Sequence, residues 1–166
     1  MKKIFLLATI LLSVVSCSTA FANSMPREEM CVGSVGYGCT LGNVKAIYGE
    51  PLERRIFDGI DAHGSTWIYS PNFSVTGRTF GNSVSEENLT VVAFALKDNS
   101  LSTPSGLTVG MSYHEVVKRW GRGELYEFNG RRGYFYVPSN SDVPMTLTFF
   151  VDAESTITEI ELGTDF

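Results

Sequence analysis

Histidine, cysteine and positive charge are all scarce in this chain, and each shortage removes a class of function. The 166 residues hold two histidines, His63 and His114, far apart in sequence. Neither stands in a pattern that supplies a general base together with a nucleophile and an orienting carboxylate, so the expectation is a protein that is not an enzyme. The three cysteines, Cys17, Cys31 and Cys39, have no C-x-x-C spacing and no second ligand pair, which removes metal and redox frameworks of that kind. Gly33, Gly36 and Gly38 read G-x-x-G-x-G with no strand before them and no lysine, so the dinucleotide and phosphate-loop patterns fail and a close backbone approach to a helix explains them better. Ser34 lacks the first glycine of G-x-S-x-G, which removes the hydrolase elbow. Thirteen basic residues face eighteen acidic ones, a formal charge of −5. Nucleic acid and anionic membranes are therefore poor partners.

Long apolar runs are also missing, except at the start. Lys2 and Lys3 precede an apolar stretch from Ile4 to Val15, too short to span a bilayer, and this has the layout of a secretion signal. Ala20 to Ala22 offers an A-x-A cleavage site. Val14 to Cys17 offers the alternative of a bacterial lipobox, which would leave Cys17 as a lipidated, outer-membrane-anchored N-terminus. Cleavage after Ala22 leaves 144 residues with a formal charge of −7 and no transmembrane segment, so the chain is expected in the periplasm or outside the cell. In that oxidising space Cys31 and Cys39 are expected to pair as a structural disulfide, worth about 2.5 kcal/mol on the chain-entropy model.

The chain does carry an internal similarity. Ser34 to Gly49 and Gly106 to Gly121 align at a constant offset: Gly38 with Gly110, Thr40 with Ser112, Val44 with Val116, Tyr48 with Trp120 and Gly49 with Gly121. Each reads as a helix. In the first, Thr40 is the N-cap, Gly49 the left-handed stop and Pro51 the block beyond it, while Gly42 costs about 1 kcal/mol relative to alanine. In the second, Ser112 caps, Glu115 completes a capping box and Met111 staples onto Val116.

After each helix come strands. The first half shows them at Leu52 to Phe57, Ser65 to Ser70 and Leu89 to Lys97, with His63 in a hairpin loop. The second shows them at Glu124 to Phe128, Gly133 to Val137, Met145 to Asp152 and Thr156 to Leu162, with Asn129-Gly130 as a hairpin turn. Trp67 to Pro71 matches Tyr134 to Pro138, and Val92 to Leu96 matches Leu147 to Val151. Pro71 to Asn88 has no counterpart and reads as an insertion, an extended hairpin or a loop. The expected organisation is a signal peptide over 1–22, a first repeat with an N-terminal arm over 23–105 containing the insertion at 71–88, and a second repeat over 106–166. The expected fold is α+β: two tandem repeats, each a helical segment packed on a meander of antiparallel strands.

Leu107 to Ser112 with Val116 to Gly121, the triplet Tyr134 to Tyr136, and Leu147 to Asp152 with Ile157 to Ile160 resemble the SmpA/OmlA repeat. That family includes the small lipoprotein of the outer-membrane β-barrel assembly machinery, and its repeat is shared with the β-lactamase inhibitor protein. Two copies in one exported chain are more like the inhibitor. The resemblance covers Cys31 to Leu162 and implies helices on an antiparallel sheet whose surface binds proteins. Cysteines in only the first copy depart from the inhibitor, which has a disulfide in each repeat.

Strand alternation assigns Val92, Phe94, Leu96, Leu147, Phe149 and Val151 to the helix side, with Trp67, Tyr69, Tyr134 and Tyr136. Ile68, Phe135 and Phe150 fall on the opposite side, with Arg131 and Arg132 at its edge. Those five residues form the expected surface for another envelope or secreted protein, with no cofactor and no metal. The competing expectation covers that face with the other repeat or with 71–88. From a different class comes a small-ligand, metal-binding or hydrolytic periplasmic protein using the Asp61 and His63 loop. Partner identity and oligomeric state are not encoded in these patterns.

Overall fold

The computed structural model describes residues 24–59, 62–81, 84–139 and 145–163. The expected leader over 1–22 with Cys17, and Asp61, lie outside the described residues. The N-terminal arm forms β1 (Ser24–Met25) and a small hairpin, β2 (Cys31–Val32) and β3 (Val35–Gly36). Helix α1 (Leu41–Tyr48) is followed by β4 (Glu53–Asp58), β5 (Ala62–Ser70), β6 (Phe73–Phe80) and β7 (Thr90–Leu96). Helix α2 (His114–Trp120) is followed by β8 (Glu124–Phe128), β9 (Arg131–Pro138), β10 (Thr146–Val151) and β11 (Ile157–Gly163). The fold is α+β, as expected from the sequence.

The eight strands that follow the helices join in one sheet, in the order β4-β5-β6-β7-β11-β10-β9-β8, with β1 pairing parallel to the end of β9. Within each group of four the strands form an antiparallel meander. The groups meet where β7 runs antiparallel to β11, pairing Phe94 with Leu162, Ala95 with Glu161 and Leu96 with Ile160.

The register explains why the sheet has one buried face. Trp67, Val75, Phe94, Leu162, Leu147 and Tyr136 are successive cross-strand neighbours on β5, β6, β7, β11, β10 and β9. None is more than 5% exposed, and they pack in one cluster with Leu41 and Val44 of α1 and Val116 of α2. Each such side chain contributes roughly 1.5–3 kcal/mol of transfer free energy. Tyr69 and Trp120 lie at the margin of this cluster, half-buried.

Corresponding hydrogen bonds tie each helix start to the last strand of its group. Gly38 N donates to Val91 O at 3.2 Å, and Gly110 N donates to Ile157 O at 2.8 Å. Both glycines have positive φ, 90° and 88°, which an L side chain rarely adopts. β7 therefore holds the place of β11. Pro71 to Asn88, expected as an extended hairpin or a loop, supplies β6, which pairs with both β5 and β7 as the third strand of the first meander, so Val92 to Leu96 lies in a fourth strand and Leu147 to Val151 in a third. Its residues alternate, with Phe73, Val75 and Gly77 buried and Ser74 and Thr76 half-buried between them.

The rest of that segment docks on the first helix. Trp67 Nε1 and Ser65 Oγ both donate to Glu86 Oε2 at 2.9 Å, which holds the Glu86–Asn88 turn over the core. A Cβ on Gly42 would lie 3.0 Å from Glu87 O, so this glycine admits the turn rather than merely weakening the helix. The capping box forms at α1 rather than at α2. In α1, Asn43 N donates to Thr40 Oγ1 at 3.2 Å and Thr40 N donates to Asn43 Oδ1 at 2.9 Å. In α2 the N-cap position belongs to Tyr113, one residue later than expected, and Ser112 Oγ instead accepts from His114 N at 3.3 Å.

Two further expectations are corrected. Val92 leaves the core because Thr76 pairs with Ala93 while Gly77 pairs with Val91, so Val92 is the extra residue of a β-bulge and Val91 is buried in its stead. Cys31 and Cys39 are free thiols, not a disulfide. Each donates to a backbone carbonyl, Cys31 to Glu28 O at 3.3 Å and Cys39 to Gly36 O at 3.1 Å.

A buried hydroxyl network closes the second half. Tyr136 donates to Gly121 O at 2.7 Å, and it accepts from Gly123 N at 2.9 Å beside the Tyr113 hydroxyl at 2.8 Å. Burial holds both tyrosine hydroxyls above their ordinary pKa, so they act as neutral hydrogen-bonding groups. Tyr136→Phe removes the donor to Gly121 O inside the fold and is expected to cost about 1–3 kcal/mol in urea unfolding. A midpoint equal to that of the wild type would contradict this assignment.

Candidate partner-binding surface

Strand alternation that buries one face presents the other. Ile68, Ser74, Ala95, Glu161, Thr148 and Phe135 are successive neighbours across the six central strands. All six are half-exposed, and the row ends on exposed Glu53 of β4 and exposed Glu124 of β8. Beside it on the first half run Thr66, Thr76 and Ala93, also half-exposed. Ser74, Ala95 and Thr148 in this row are small, Glu161 at its centre is paired with Arg131, and Ile68 and Phe135 are the larger apolar groups on the two sides. Neither covering element expected from the sequence lies over it. Pro71 to Asn88 contributes β6 to the sheet itself, and the two groups of strands continue each other edge to edge.

The five expected binding residues separate on this frame. Ile68 and Phe135 lie in the half-exposed row. Phe150 is on the same face but only 4% exposed. The Arg131 guanidinium carbon sits 3.6 Å from the centre of its ring, and Tyr126 meets it edge-on at 5.9 Å. A cation over an aromatic face is attractive in itself, so Phe150 is capped rather than presented. Arg131 and Arg132 point to opposite faces because they are adjacent in β9. Arg132 goes with Tyr134, whose hydroxyl it reaches at 3.0 Å on the helix side.

Sequence reasoning missed the carboxylates beside Arg131. Its Nη2 lies 2.7 Å from Glu159 Oε2 and 3.0 Å from Glu161 Oε1, while Lys97 Nζ lies 3.4 Å from Glu159 Oε1. Glu159 is 8% exposed, and Oε1 has no hydrogen-bond donor at good geometry. A cavity of about 420 Å³ opens here, lined by Arg131, Phe150, Asp152, Thr158 and Glu159 among others. The available signal was the spacing of Glu159 and Glu161 at i, i+2, which puts both on one face of a strand.

The histidine loop is also reorganised. His63 belongs to β5, not to a loop, and its Nδ1 is 2.7 Å from Asp58 Oδ1 on β4, so the pair braces the hairpin. His114 is exposed in the first turn of α2. Among the described residues no three of histidine, cysteine, aspartate and glutamate gather as a metal site. No helix among them is long and apolar enough to cross a membrane.

No protein-family model matches the sequence, and no curated protein matches it. Solved structures do share its shape. A cysteine-rich secretory protein from Staphylococcus aureus aligns over 86% of this chain and 49% of its own, at 13% identity and a TM-score of 0.51. An extracellular protein containing an SCP domain from Bacillus anthracis aligns over 99% and 50%, at 15% identity and a TM-score of 0.47. A candidate β-lactamase inhibitor protein from Streptococcus mutans aligns over 86% and 92%, at 12% identity and a TM-score of 0.29. The chain spans about half the length of the first two, and at these identities the likeness concerns fold alone, carried by the first.

Burial raises the Glu159 carboxyl pKa, the neighbouring Glu161 adds to the rise, and Arg131 and Lys97 oppose it. A carboxyl raised in the folded state contributes stability that is full below the ordinary carboxylate range and is lost as pH rises through its folded pKa. Glu159→Gln removes that loss. Between about pH 4 and 7 the variant is expected to gain stability relative to wild type as pH rises, measured as the difference in urea midpoints. A difference that stays constant with pH, or falls, contradicts the assignment.

Proposed function

We propose that this chain is an exported, non-catalytic protein that binds another envelope or secreted protein through the face of its sheet opposite the helices. The half-exposed row from Ile68 to Phe135 carries the proposal. A sheet face with small residues and one ion-paired carboxylate, Glu161, along its middle and apolar groups on both flanks lets a partner approach the backbone beside Ser74, Ala95 and Thr148 and anchor on either side. Contact there removes apolar surface from water without disturbing the core behind the sheet. Inhibition of a partner enzyme and scaffolding of an envelope assembly are two forms of the same binding.

In this reading the two helix-plus-meander groups are tandem repeats, 23–105 and 106–166 after a signal peptide over 1–22. The equivalent bonds of Gly38 and Gly110 support the repeat, as do the equivalent helix stops at Gly49 and Gly121. The SmpA/OmlA resemblance belongs to the same proposal. Export is supported by the N-terminal sequence and accords with the secretory and extracellular proteins that share the shape. Periplasmic, extracellular and Cys17-anchored forms differ in the mass of the mature N-terminus.

The test uses charge on the proposed face. Ile68→Asp and Phe135→Asp together place two carboxylates on half-exposed positions, where the fold tolerates them. Wild-type protein immobilised in an envelope extract should retain a specific partner, and the double variant, with an unchanged melting temperature, should lose it by at least about tenfold, a difference of 1.4 kcal/mol. Equal retention by both proteins removes this face from the account.

A further inference from the structure

Sulfur is concentrated at the N-terminal hairpin. Six described residues carry it, and four of them, Met30, Cys31, Cys39 and Met145, line one cavity of about 350 Å³. The hairpin geometry gathers them. Cys31 faces Gly36 across β2 and β3, and a Cβ on Gly36 would lie 2.7 Å from Cys31 Cβ and 2.9 Å from Met30 O. Cys39 returns to the same glycine, its Sγ 3.1 Å from Gly36 O. The two thiols therefore flank a single residue, whose missing side chain admits the close approach of Cys31, and both line the same cavity. Both cysteines are half-exposed, while Met30 and Met145 are 2% exposed at the back.

We propose that Cys31, Cys39, Met30 and Met145 form a binding site for a soft monovalent metal ion, Cu(I) or its analogue Ag(I). Soft sulfur donors exclude magnesium and calcium, which prefer oxygen, and a set of two thiolates with two thioethers suits such ions better than zinc, whose closed sites take four thiolate or imidazole ligands. No histidine lines the cavity, and its carboxylate, Glu28, is exposed. Binding forms two thiolate–metal bonds, releasing the two thiol protons to solvent, and the neutral Met30 and Met145 thioethers add lone-pair donation with no proton lost. The metal keeps its oxidation state, so no oxidant or reductant is needed. Because two protons leave on binding, uptake strengthens as pH rises. This site is separate from the sheet face and stands whether or not that face binds a partner.

The test is anaerobic withdrawal of Cu(I) from its coloured bicinchoninate complex by the protein in its thiol form. The wild type should remove one equivalent per chain. The double variant Cys31→Ser, Cys39→Ser should bind weaker by more than the roughly tenfold to hundredfold that loss of an outer-sphere partner costs. Met145→Leu keeps the buried volume and should bind more weakly than wild type with the same stoichiometry. No withdrawal by the wild type, equal withdrawal by the double serine variant, or full displacement by equimolar Zn(II) overturns the proposal.

Discussion

The pairing of β7 with β11 is the constraint on which the rest of this molecule depends. Three residue pairs join two four-stranded meanders into one sheet. The pairing is antiparallel and joins the last strand of each meander, so Phe94 and Leu96 continue the buried pattern of Leu162 and Ile160 without a break. A slip of one residue would turn Ala95 and Glu161 into the core and bring Phe94 to solvent. The same pairing makes the opposite face continuous. Ala95 and Glu161 stand at its centre because Phe94, Leu96, Ile160 and Leu162 stand behind it.

The two faces of the sheet differ in what they carry once this frame exists. The helix side is occupied by structure: Trp67 and Ser65 hold Glu86, Tyr113 and Tyr136 share their hydroxyl network, and Thr40 and Asn43 cap one another. The opposite side carries half-exposed small residues and, at the β9 to β11 end, a charged cluster over Phe150. The sulfur-lined cavity lies between the arm that precedes both meanders and Met145, the residue before β10. A partner on the sheet and an ion in the arm would therefore engage different elements.

Much of this was legible in the sequence where a single residue type decides a local geometry. Gly49 and Gly121 stop the helices at positive φ, and Asn129-Gly130 turns β8 into β9 with φ of 50° and 77°. Gly33 and Ser34, both at positive φ, make the turn of the arm hairpin, and Tyr48 donates to Gly33 O at 2.6 Å, which is the close approach to a helix that the glycine cluster implied. Failures came where a longer-range contact decides. β6 is rich in small polar residues because one of its faces is half-exposed and because Gly77 makes room for Leu41. The bulge at Val92 depends on its partner strand and leaves no local mark. Phe150 could be assigned to its face by alternation, but its cover by Arg131 depends on three neighbouring strands. The expected match of Val92 to Leu96 with Leu147 to Val151 sets β7, the fourth strand of one meander, against β10, the third of the other, because β6 left no clear strand pattern.

The central claim is that the sheet is packed on one side and open on the other in the isolated protein. Methyl NMR with an inert, soluble gadolinium chelate tests it without a partner in hand. The account predicts strong relaxation of the methyl groups of Thr66, Thr76, Ala93, Ala95 and Thr148, with those of Val75, Leu96, Leu147 and Leu162 left sharp. Equal protection of both sets would show the face already covered and would contradict the account.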